Sequence, residues 1–161
     1  MSGRHLAIGL AVAAAIAGGA LAYAASNAPV VDEPPGSNVT VTFPDSRKVE
    51  VETFKVDAKH GLSNAQCGVI IGSQRIETLG SGDTETYTCD KFVEAGPLPP
   101  AESTARIGLI YDASSANASF RTAVILVQDG ESWKVDAESL GEFDDSEASK
   151  SIEALAEAVG Q

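Results

Sequence analysis

Hydrophobic and polar residues alternate one for one over residues 38–43, where Val39, Val41 and Phe43 interleave with Asn38, Thr40 and Thr42. That two-residue period marks a strand with one buried face, and Pro44, Asp45 and Ser46 supply the turn that ends it. Val49 and Val51 continue the alternation on a returning strand, whereas Phe54 and Val56 fall on the opposite parity. A bulge near Glu52 and Thr53 is expected to restore all four to one face. The pattern lapses into a polar loop over residues 57–66, and residues 67–71 then form a short apolar run of the kind buried on both faces. Ile76 and Leu79 lead into Gly80, Ser81, Gly82 and Asp83, a strong turn signal. Residues 84–92 are rich in threonine and aromatics, as a strand should be, and Gly96, Pro97, Pro99 and Pro100 are expected to end that section.

The last third is a cleaner meander. Ala105, Ile107, Leu109 and Tyr111 alternate, and after a turn at residues 113–117 Phe120, Thr122, Val124 and Leu126 alternate again. Asp129 and Gly130 make a tight turn, and Trp133 and Val135 complete a short strand whose tryptophan is expected to cover one end of the core. The period then changes. Ile152, Leu155, Ala156 and Val159 recur at helical spacing, Asp144, Asp145 and Ser146 are N-cap candidates, and Glu147 suits a first turn, which predicts an amphipathic helix over residues 144–160. The fold expected is mainly β, an antiparallel sheet or sandwich of six to eight short strands with one C-terminal helix packed on a face or edge.

The N-terminal residues read differently. Arg4 and His5 precede an apolar run over residues 6–25, and Ala22, Tyr23 and Ala24 form a small-x-small cleavage pattern, so residues 1–24 are expected to be a signal peptide. Twenty apolar residues could also just cross a hydrocarbon layer of about 30 Å, which makes an uncleaved membrane anchor the alternative. Residues 25–37, with Pro29, Asp32, Glu33, Pro34, Pro35 and Gly36, read as a linker leading to a single domain over residues 38–161. Export in turn gives the two cysteines, Cys67 and Cys89, a meaning: in an oxidising compartment they are expected to form one disulfide. Two free thiols or half of a metal site are the competing readings, and the spacing is too wide for a redox-active pair.

Charge narrows the list of partners. Acidic residues outnumber basic ones 23 to 11 in a chain of 161 residues, a net charge of −12 that repels phosphate backbones and anionic lipid, so no nucleic-acid partner is expected and the membrane is reached only through an uncleaved leader. His60 is the only histidine beyond the leader, and although Asp57, His60 and Ser63 share one polar loop, a nucleophilic triad is assembled from separated segments. Neither a strained Gly-x-Ser-x-Gly elbow nor a phosphate loop is present. One histidine and two oxidised cysteines cannot build a tetrahedral zinc site. Glu142, Asp144, Asp145 and Glu147 are rich in oxygen but lack the spacing of a calcium loop, and helix capping with a solvated face accounts for them better.

Residues 122–136, with their alternating strand followed by Asp129, Gly130, Trp133 and Val135, resemble the closing strands of small exported domains of the nuclear-transport-factor-two-like class. That resemblance implies helices cupped against a sheet, whereas residues 38–56 read as strands. The residues themselves lead to an exported, acidic, non-enzymatic β domain that acts by protein binding or as a cell-envelope component, with no cofactor. A small carboxylate-based or ion-dependent hydrolase is the alternative from another class. A small-ligand-binding cone or barrel, with an apolar pocket behind Trp133, is the third.

Overall fold

The computed structural model describes residues 37–57, 64–82 and 86–160. The leader, almost all of the linker, and the loop segment bearing His60 and Ser63 lie outside the described residues. Four strands, β1 (Asn38–Thr42), β2 (Lys48–Val56), β3 (Gln66–Ile71) and β4 (Gln74–Leu79), pair antiparallel in sequence order as one sheet. A second four-stranded antiparallel sheet follows in the same way, from β5 (Thr88–Ala101), β6 (Thr104–Ser114), β7 (Ser119–Asp129) and β8 (Ser132–Val135). One helix, α1 (Ile152–Val159), closes the chain.

The alternation read along the chain becomes a shared core. Val41, Val51, Val69 and Ile76 of the first sheet join Ile107, Leu109, Tyr111, Val124 and Leu126 of the second in one buried cluster. Each such aliphatic side chain removed from water contributes about 1.5–3 kcal/mol. Cys67 on β3 and Cys89 on β5 tie the two sheets together through a disulfide, with their Cα atoms 5.7 Å apart. Beside it the Cys89 N–H donates to the Ala65 carbonyl at 2.9 Å.

The second sheet is also buried on its outer face. Leu98, Ile110, Ala123 and Ile125 pack there against Ile152 and Leu155 of α1, with Phe143 and Ala148 alongside. Gly96 and Gly108 are paired across β5 and β6 and form the floor of this contact. A Cβ on Gly96 would stand 2.6 Å from Ile152 Cγ2, and one on Gly108 would stand 2.8 Å from Leu155 Cδ2. The helix can lie this close only because both positions lack a side chain.

Three expectations are corrected by this arrangement. No bulge occurs in β2, whose registers with β1 and β3 are unbroken. Phe54 therefore stays on the outer face, where its ring covers its register partner Gly68 and lies under the Arg75 guanidinium, 3.5 Å from the ring centroid. Burial to 3 % exposure is reached without crossing into the core. The irregularity falls between β3 and β4 instead, leaving Thr78 as the extra residue, buried, with its hydroxyl donating to the Cys67 carbonyl at 3.1 Å and sharing a hydrogen bond with the Tyr111 hydroxyl at 2.8 Å.

Gly96, Pro97, Pro99 and Pro100 do not end a strand; β5 runs through all of them. Proline is tolerated because β5 is an edge strand, so a missing N–H can face away from its only partner, β6. The C-terminal helix is shorter than residues 144–160. A short 3-10 turn covers Glu147–Lys150, Ser151 is extended, and α1 starts at Ile152, capped by the Ser151 hydroxyl accepting from the Ala154 N–H at 3.2 Å. The Glu94 carboxylate on β5 accepts from the Ile152 N–H at 3.2 Å, which adds a negative charge at the positive end of the helix. The described fold opens on strands, and the helix that covers it comes last, unlike the arrangement implied by the nuclear-transport-factor-two-like resemblance.

Candidate functional site

Each hairpin is set by its turn, and the turns of both sheets meet at one end of the fold. The β1–β2 turn and the β5–β6 turn line one groove of about 320 Å³, formed by Phe43, Pro44, Asp45, Arg47, Leu98, Pro100, Ser103 and Ala105. The β3–β4 and β7–β8 turns line a second, more open groove of about 600 Å³, formed by Ile71, Gly72, Ser73, Gln74, Glu131, Ser132 and Trp133. Phe43 and Trp133 stack between them, ring centroids 6.4 Å apart, and close this end of the core. Trp133 thus covers one end of the core, as its position predicts, at 6 % exposure. The space it lines is an open groove, and Leu126, Ile107 and Val69 are buried in the same cluster.

Strain is concentrated at the same end. Glu102 and Ser103, the two residues of the β5–β6 turn, both have positive φ, 46° and 72°. Such a turn follows the twist of a hairpin but favours Asn-Gly, since a side chain in the left-handed region costs about 1–2 kcal/mol. Ser46, at φ 69°, repeats this in the β1–β2 turn. Arg47 organises that turn. Its Nε lies 2.7 Å from Asp45 Oδ2, its N–H donates to Asp45 Oδ1 at 3.0 Å, and its guanidinium lies 5.2 Å from the Phe43 ring centroid. The hydrogen bond from the Arg47 side chain, then that from its backbone, holds the Asp45 carboxyl below the usual carboxylate range.

Gln74 closes one seam between the sheets. Its side-chain amide donates to the Trp133 carbonyl at 2.6 Å and accepts from the Trp133 N–H at 2.8 Å, so a side chain takes the hydrogen bonds that a neighbouring strand would offer β8.

The residues singled out in the sequence are dispersed. Cys67 and Cys89 form the disulfide. Asp57 follows β2, and His60 and Ser63 lie outside the described residues. The acidic group near the C-terminus is taken apart by the fold. Asp144 accepts from the Tyr87 hydroxyl at 2.5 Å and from the Thr122 hydroxyl at 2.6 Å, which latches the segment after β8 onto β7 and the chain entering β5. Asp145 has φ 48° and donates its N–H to the Arg121 carbonyl at 2.8 Å, while Glu147 pairs with Lys150. Among the described residues no group of histidine, cysteine, aspartate or glutamate side chains could hold a metal ion.

Among the described residues two tyrosines are perturbed, both for structural reasons. The hydrogen bond to Asp144, helped by burial, raises the Tyr87 hydroxyl, and complete burial raises Tyr111 further against a small opposing effect of Thr78. What the hairpin end offers is apolar contact, a hydrogen-bonded Arg47–Asp45 pair and strained turns. Comparison of the chain with family models, curated proteins and solved structures found no match.

Proposed function

We propose that this chain is an exported, non-enzymatic domain that acts by binding another protein, with the hairpin end as its contact region. The observation that carries the reading is the groove between Phe43, Pro44, Leu98, Pro100 and Ala105, a largely apolar surface framed by turns that the fold holds in strained conformations. Strained, rigidly supported loops on a closed core are where recognition surfaces are commonly built. Rigidity supports the reading as well, because the Gln74 side chain pins the backbone of Trp133, whose ring stacks on Phe43, and so lowers the cost of ordering this end on association. The disulfide is in keeping with an oxidising compartment, and among the described residues no helix is long and apolar enough to cross a membrane.

The test is site-specific photo-crosslinking in the native host. A photoreactive residue at Pro100 should give a discrete protein adduct, whereas one at the exposed Glu153 on α1 should give none. Equal adducts at both positions, or none at Pro100, would remove the hairpin end as the contact region.

A further inference from the structure

Four strand edges border the two sheets, and three of them are blocked. On β5, Pro97 and Pro99 carry no N–H, and register shifts break the strand at both ends. On β8, only four residues long, Gln74 already occupies both backbone groups of Trp133. On β4, the charged Arg75 and Glu77 and the irregularity at Thr78 spoil a continuous template.

The edge of β1 carries none of these devices, and although β5 of the other sheet comes near it, no backbone hydrogen bond among the described residues joins the two strands. Its sequence, Asn-Val-Thr-Val-Thr, has no charge, no proline and no break in register, and Asn38, Thr40 and Thr42 are exposed. The direction of its free groups follows from the ladder. Ser37 accepts from the Thr53 N–H and Phe43 donates to the Arg47 carbonyl, so the odd-numbered residues pair with β2 and the even-numbered ones turn their N–H and C=O away from it. We infer that β1 is a docking edge on which an extended segment of a basic partner protein adds as a further strand; this rests on the binding role proposed above and names the partner's chemistry.

Charge selects that occupant over a second copy of this chain. Glu50, across from Thr40 on β2, reaches over β1, its two carboxylate oxygens 2.9 and 3.0 Å from the Thr40 hydroxyl. A lysine or arginine on an added strand would meet that carboxylate. Two copies paired about Thr40 would bring two Glu50 side chains toward one another, on chains each carrying a net charge of −12. At the Phe43 end of β1 the same strand would run into the apolar groove between Pro44 and Leu98, where an aliphatic side chain would be its anchor.

The test uses the oxidised protein and two synthetic probes, a short peptide alternating valine with lysine and its counterpart alternating valine with glutamate. The lysine peptide should slow hydrogen exchange at the Asn38, Thr40 and Thr42 amides and bind about tenfold more tightly than the glutamate peptide at low salt, a preference that fades as salt is added. Glu50→Lys, an exposed change that leaves the β1–β2 ladder intact, should reverse the preference. Thr40→Pro removes an outward N–H and should abolish protection. No protection with either peptide, or a preference indifferent to Glu50→Lys, would overturn the docking edge. Protection confined to the 98–105 region would overturn it while leaving the broader binding role standing. Concentration-dependent protection of the same amides without peptide would assign the edge to a second copy and overturn the basic partner. Loss of the Pro100 crosslink in cells, by contrast, bears on the binding role alone.

Discussion

Adding one methyl group at Gly108 tests whether α1 lies in a slot made by missing side chains. Gly108→Ala would place a Cβ 2.8 Å from Leu155 Cδ2, 3.0 Å from Ile152 Cδ1 and 3.1 Å from Leu98 Cδ2. Overpacking of that kind costs about 1–3 kcal/mol, and losing a glycine from a strand returns roughly 0.5–1 kcal/mol, so a net loss of about 1–2 kcal/mol is expected. Leu155→Ala alone, at a fully buried position, should cost about 2–5 kcal/mol. In the double variant the closest clash is gone, and the penalty of Gly108→Ala should fall to near zero. Urea unfolding followed by the fluorescence of Trp133, the single tryptophan, gives all three free energies, with melting shifts of roughly 2–8 °C per kcal/mol as a second reading. If the two changes add within about 0.5 kcal/mol, the glycines are not what admits the helix.

Other parts of the fold yield their own expectations. Replacing both Cys67 and Cys89 by alanine opens a loop whose ends are 22 residues apart, for which the chain-entropy relation gives about 3.4 kcal/mol of lost stability, readable by urea unfolding with and without reductant. Asn-Gly in place of Glu102 and Ser103 should raise stability by about 1 kcal/mol, since both positions have positive φ; no gain in the urea midpoint would show that the turn is not strained. Tyr111 and Tyr87 are both raised in the folded state above the ordinary value of 10.0, so the stability they contribute is intact below pH 10.0 and declines as pH rises beyond it. Tyr111 should therefore ionise only as the protein unfolds, with its tyrosinate absorbance rising together with loss of the β circular-dichroism signal; ionisation near pH 10.0 in an intact fold would contradict its burial. Asp144→Ala removes the acceptor of both Tyr87 and Thr122 and should lower the Tyr87 value toward normal while loosening the segment after β8, seen as faster hydrogen exchange at the Asp145 amide.

The strands were legible where one face meets water and the other the core, because that asymmetry writes itself into the period. Ile107, Leu109 and Tyr111, or Val124 and Leu126, show it directly. Phe54 defeated the rule because its burial comes from Gly68 beneath it and Arg75 above it, two contacts separated from it in sequence. The prolines of β5 have the composition of a break, since sequence alone does not tell an edge strand from a central one, and only the edge tolerates them. Asp144 and Asp145 carry the composition of a helix start, yet tertiary hydrogen bonds to Tyr87, Thr122 and Arg121 hold them outside any helix. The hairpin-end groove and the unguarded edge of β1 were not legible at all, because each depends on which turns and edges end up as neighbours.

The proposed export requires that the disulfide be formed in the cell. The most direct test is therefore thiol trapping in the native host, with acid quench, alkylation, cell fractionation and intact mass. The expected result is a species from the envelope or culture fluid in which Cys67 and Cys89 take up label only after reduction. Recovery of the protein in the cytoplasm with both cysteines labelled before reduction would contradict it.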